Sequence, residues 1–108
     1  MIGYITLGTA DVEAARAFYT PIFKLMGLSV CFEDPQVCCW GDPDDKTVPR
    51  FFVCLPFDDQ AATVGNGTMT AFRVERASVV DALFQQAIST GAQSEGAPGF
   101  RPEAYGDR

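Results

Sequence analysis

The chain opens on a β-rich run, Ile2-Gly3-Tyr4-Ile5-Thr6-Leu7, that stops at Gly8-Thr9. Asp11 then stands where a helix cap belongs. From there Val12, Ala15, Phe18, Tyr19, Ile22 and Met26 recur at three- and four-residue spacing, which predicts an amphipathic helix to about Leu25. Glu13, Arg16 and Lys24 lie largely off that stripe. Pro21 removes one amide donor and predicts a kink, and Gly27 predicts the stop. Three short β-rich runs follow, Leu28 to Glu33, Gln36 to Trp40 and Arg50 to Leu55, separated by Asp34-Pro35 and by the polar stretch Gly41 to Pro49. The first part therefore reads βαβββ.

Residues 57–67 have the composition of a linker, with aspartates, glycines and alanines and little period. The order then restarts. Thr68 to Glu75 predicts a strand, and about Ser78 to Thr90 a helix in which Ser78 and Asp81 have capping-box spacing. Setting Tyr4 over Met69 brings Phe18-Tyr19 over Leu83-Phe84, and one gap aligns the closing glycines, Gly27 and Gly91. The chain has the look of a diverged internal repeat, although a short protein can also reach such a pattern by chance. The boundaries expected are 1–56 for a first module, 57–67 for the linker and 68–108 for a second, incomplete module, together one domain.

Composition narrows the functional classes. With 47% hydrophobic and 20% charged residues the 108-residue chain can bury a core and needs no disulfide framework. Its 14 acidic against 8 basic side chains give a charge of -6, which disfavours nucleic acid and anionic membranes as partners. No apolar run has the length of a membrane span, and the start lacks the pattern of a signal peptide, so a cytoplasmic protein is expected. Asn66-Gly67-Thr68 fits a glycosylation sequon but reads more simply as a tight turn. Cys31, Cys38, Cys39 and Cys54 form no CxxC pair, and there is no histidine to complete a mixed zinc site. They are expected to be reduced, buried small hydrophobes. Asp42-Pro43-Asp44-Asp45 lacks the ligand spacing of an EF-hand loop and reads as a solvated turn.

Tyr4-Ile5-Thr6-Leu7-Gly8-Thr9-Ala10-Asp11, followed by Ala17-Phe18-Tyr19, resembles the opening of the glyoxalase/bleomycin-resistance/dioxygenase (vicinal-oxygen-chelate) superfamily. Gly65-Asn66-Gly67-Thr68-Met69-Thr70-Ala71-Phe72 is similar to the strand that opens its second module, and Gly96-Ala97-Pro98-Gly99-Phe100-Arg101-Pro102 to a later loop of a bacterial glyoxalase-like branch. The resemblance implies an α+β fold of paired βαβββ modules whose mixed sheet forms a cup-shaped cavity, commonly completed in a homodimer. The family pattern would continue past Arg108 with two more strands, so the second module is expected to be truncated after its helix and following loop, as a fragment, a trimmed chain or a short natural form.

Members of the superfamily usually hold a divalent metal in the cup, where it binds adjacent substrate oxygens as a Lewis acid. The family's first- and fifth-strand histidines fall here on Tyr4 and Met69. A neutral phenol and a thioether are poor ligands for hard or borderline cations. The expectation is thus a metal-free protein without a cofactor that binds a small aromatic or anionic molecule. Period-two alternation sets Tyr4 with Thr6, and Met69 with Arg73, on strand faces turned away from the helices. Trp40 and Phe52 are expected to border the cup, with Arg73 or Arg101 as a cation at its rim. Ordinary packing competes with ligand contact at Tyr4, Trp40, Phe52 and Met69, and plain surface charge competes at both arginines. A divergent lyase, isomerase or dioxygenase and a structural or interaction module remain alternative functions.

Overall fold

The computed structural model describes residues 1–100. It divides into a compact unit from Met1 to Thr68 and a second that begins at Met69. The first contains strand β1 (Tyr4–Gly8), helix α1 (Val12–Leu25) and strands β2 (Ser29–Asp34), β3 (Val37–Gly41) and β4 (Arg50–Cys54). These strands form one mixed sheet in the order β1-β4-β3-β2. β4 is antiparallel to β3 and parallel to β1, with Tyr4 opposite Arg50 and Thr6 opposite Phe52.

Local chemistry sets each boundary. Asp11 caps α1 by accepting the Ala14 amide hydrogen on its carboxylate at 3.0 Å, and the helix remains continuous through Pro21. At its other end Gly27 has φ 78°, the left-handed conformation glycine adopts without steric cost. The Leu28 amide donates to the Phe23 carbonyl at 2.9 Å and the Gly27 amide to Lys24 at 3.0 Å, the paired bonds of a Schellman stop. The turn from β2 to β3 is held by Asp34, whose Oδ1 accepts the amides of Gln36 at 2.7 Å and Val37 at 3.0 Å.

α1 covers one side of the sheet. Val12 and Phe23 pack there with Cys38, Trp40, Phe51 and Val53, and Ile5, Leu7, Ala15 and Tyr19 close around them. The rings of Tyr19, Phe23, Trp40 and Phe51 stand 5.1–6.2 Å apart across the helix–sheet boundary. Each large side chain enclosed in this way contributes about 1.5–3 kcal/mol of burial. Trp40 needs a partner for its polar atom, and its Nε1 donates to Thr20 Oγ1 at 3.1 Å. Arg16 ties the helix to the end of β2, donating to the Asp34 carbonyl at 3.1 Å. Its Nε stands 3.0 Å from Glu33 Oε2 as an ion pair without hydrogen-bond alignment.

The second unit departs from the expected pattern. Thr68 to Glu75 forms no strand; among the described residues α2 (Ala77–Ser89) is that unit's regular element. A strand exists through its ladder, and no neighbouring strand of this unit is present among the described residues to pair with the segment. The capping box at Ser78 and Asp81 is also not formed, because α2 starts earlier, at an Arg76 N-cap with no side-chain bond. Its end does match that of α1. Gly91 has φ 103°, the Ala92 amide donates to Ala87 at 3.0 Å and the Gly91 amide to Ile88 at 3.2 Å. Among the described residues no helix is long and apolar enough to cross a membrane.

Candidate ligand-binding face

The sheet surface opposite α1 is where the chemistry collects. Along β1 the alternation turns Ile5 and Leu7 toward the core and leaves Tyr4 and Thr6 exposed. On β4, Phe51 and Val53 are buried, while Arg50, Phe52 and Cys54 are only half-buried. Tyr4 and Phe52 meet edge to face, with ring centroids 5.4 Å apart and planes at 70°. Cys39 lies beside Phe52 on one flank and Phe32 on the other. Tyr4 is 66% and Phe32 53% exposed, so the face presents aromatic surface to its surroundings.

The register also brings Arg50 to this face, opposite Tyr4 and two positions before Phe52. A Cβ placed on Gly41 would come within 3.0 Å of Arg50 Cγ and 3.5 Å of Cys31 Sγ, so the arginine stem lies across a position that has no side chain. Cys31 sits at a bulge in β2, between the pairs Val30–Trp40 and Phe32–Cys39. Burial pushes the Cys39 thiol up from its ordinary value, nearby Cys31 adds to the shift and Arg50 opposes it. On the opposite face burial likewise pushes up the Cys38 thiol, against the pull of Arg16. All four cysteines are free, with Cys38 and Cys39 buried and Cys31 and Cys54 half-buried.

Of the residues expected to line a cavity, the sheet brings together Tyr4, Thr6 and Phe52. Trp40 requires correction: it is fully enclosed on the α1 side, because its partner on β4 is Phe51 and not Phe52. Met69, 80% exposed, and the exposed Arg73 belong to the second unit and its irregular opening segment. Arg101 lies outside the described residues. Arg50, Cys39 and Phe32 were not anticipated, although the two-residue period counted back from Phe52 leads directly to Arg50. A separate depression of about 200 Å³ adjoins the ends of β1 and β4, lined by Thr9, Leu55, Pro56 and Ala62 among others, and includes none of the anticipated residues.

The donor set does not fit the metal that the family resemblance implies. Tyr4 is in ring contact with Phe52, and among the described residues no three His, Cys, Asp or Glu side chains are grouped to hold an ion. The acidic loop is a hydrogen-bonded turn: Asp45 Oδ1 accepts from the Thr47 hydroxyl at 2.6 Å and its amide at 2.9 Å, which holds the carboxyl below its usual value.

A βαβββ unit with one helix-covered and one open sheet face defines the scaffold as α+β. Solved structures share this architecture. A glyoxalase/bleomycin resistance protein from Albidiferax ferrireducens T118 has a TM-score of 0.84 and 25% identity to this chain, over 97% of this chain and 82% of its own. A possible glyoxalase from Bacillus cereus gives a TM-score of 0.58 at 22% identity, over 84% of this chain and 74% of its own. The chain thus shares the fold of glyoxalase/bleomycin resistance proteins, which supports the resemblance to the vicinal-oxygen-chelate superfamily read from its sequence. No protein-family model and no curated protein matches it.

Proposed function

We propose that the protein binds a small, flat, largely apolar molecule on the open face of its sheet and does so without a metal. The observation that carries this reading is the edge-to-face pair of exposed Tyr4 and half-buried Phe52, which occupies the face with aromatic surface in place of metal-binding donors. A planar ligand stacks on or beside such a pair, displacing water from both rings. Thr6, on the same strand face as Tyr4, supplies a hydroxyl able to donate or accept a hydrogen bond. We take the second module as 68–108, after a first module of 1–56 and a linker of 57–67, and assign Met69 and Arg73 as candidate ligand contacts of that second module by itself.

The neutral aromatic amide 2-naphthamide provides a test. Titration followed by NMR should move resonances of Tyr4, Thr6 and Phe52, and Tyr4→Ala and Phe52→Ala should each weaken binding several-fold while the fold persists. Binding indifferent to both substitutions would remove the face from consideration. In parallel, elemental analysis of the dialysed protein should find no stoichiometric zinc, iron, manganese or nickel; about one metal per chain would overturn the metal-free reading.

A further inference from the structure

Arg50 has the properties of an anion-binding residue. It stands on the open face beside the aromatic pair, opposite Tyr4 in register and two residues from Phe52. Its stem crosses Gly41, where any Cβ would meet it at 3.0 Å, and passes toward Cys31 and Cys39. The residue is half-buried, and among the described residues the ion pairs are those of Arg16 with Glu13 and Glu33, so no carboxylate neutralises Arg50. Its nearest charge-sensitive neighbour is the neutral Cys39 thiol, so the guanidinium lacks a counter-ion and keeps its capacity to pair with an anion.

We infer that Arg50 is an anion anchor that selects planar aromatic carboxylates, its guanidinium holding the carboxylate while the attached ring lies against Tyr4 and Phe52. This inference rests on the open face being the ligand-binding surface. The guanidinium presents parallel donors that match the two oxygens of a carboxylate. The neighbouring Cys39 does not cancel that charge, because burial keeps its thiol protonated at neutral pH. The aromatic pair and the cation are displayed by adjacent strands of a rigid sheet, so one flat acid reaches both.

The test compares two probes of the same shape, 2-naphthoate and 2-naphthamide, by calorimetric titration of the full chain. The carboxylate should bind roughly tenfold or more tightly than the amide, as expected for a charge-assisted contact. Arg50→Gln should erase that preference while sparing the amide, and Arg50→Lys should restore part of it. Should Arg50→Gln not fold, Gly41→Ala provides the second variant, since its methyl displaces the stem and should reduce the preference with the arginine retained. Equal binding of the two probes, or a preference that survives both Arg50→Gln and Gly41→Ala, would overturn the anchor and leave the aromatic face intact. Failure of both probes to bind, or amide binding unaffected by Tyr4→Ala and Phe52→Ala, would remove the face and the anchor together.

Discussion

Trp40 and Phe52 lie on neighbouring strands, yet one is sealed beneath α1 and the other opens to the far side of the sheet. The run Val37-Cys38-Cys39-Trp40-Gly41 contains no polar position to mark an outward face, so alternation could not assign Trp40. On β1 the small and polar positions made the faces legible, and Tyr4 and Thr6 could be placed together from the sequence. Enclosure of Trp40 has a measurable consequence: its emission should be blue-shifted, resist quenching by iodide and respond little to 2-naphthamide. Strong iodide quenching would contradict its 0% exposure. Truncation beside it should be severe, with Phe23→Ala lowering unfolding free energy in urea by about 3–5 kcal/mol, through lost burial and a cavity between Trp40 and Phe51.

The buried thiols give stability a pH dependence at the same scale. Cys38 and Cys39 have folded values raised above their ordinary ones by burial, so between the two values the folded chain binds more protons than the unfolded chain. Their contribution is therefore fully present below the unfolded thiol value of about 8.5 and is lost as pH rises through the folded values. Burial also raises Tyr19, which extends the decline above about pH 10. Urea melts from neutral to alkaline pH should show this fall, with a shallower slope in a Cys38→Ala/Cys39→Ala double variant. An unchanged slope would mean that these thiols titrate no differently in the folded chain.

At the scale of elements, the two helices contrast in how they begin. Asp11 accepts a hydrogen bond at the start of α1, whereas Ser78 lies inside α2 and caps nothing. Asp11→Ala should thus cost about 1 kcal/mol in chemical denaturation, while Ser78→Ala should fall within about 0.5 kcal/mol of no effect. A comparable loss at both positions would restore the capping box read from sequence spacing. That spacing misleads because Ser-x-x-Asp also suits a helix interior. The stops were more legible, since a left-handed residue after an apolar stripe leaves few choices besides glycine, and Gly27 and Gly91 both close Schellman motifs. Strand propensity from Thr68 to Glu75 was real but insufficient, because a strand's existence depends on a partner that local sequence does not contain.

For the whole molecule, two features lead to the prediction of a homodimer. β1 lies at the edge of its sheet and, among the described residues, pairs through β4 alone, which leaves its other row of backbone groups available. The open face also exposes Tyr4 and Phe32, and α2 contributes no fully buried side chain. A second copy can cover such apolar surface symmetrically, and an enclosed ligand site gains from the water it excludes. Light scattering coupled to size exclusion, at tens of micromolar as a rough working range for weak dimers, should give about twice the chain mass of 11.7 kDa. Phe32→Asp places a charge at a 53% exposed position of the face and should shift the population toward monomer without unfolding it. A monodisperse monomer for the unmodified chain would instead assign the open face to ligand alone, and the edge of β1 would then remain solvated in solution.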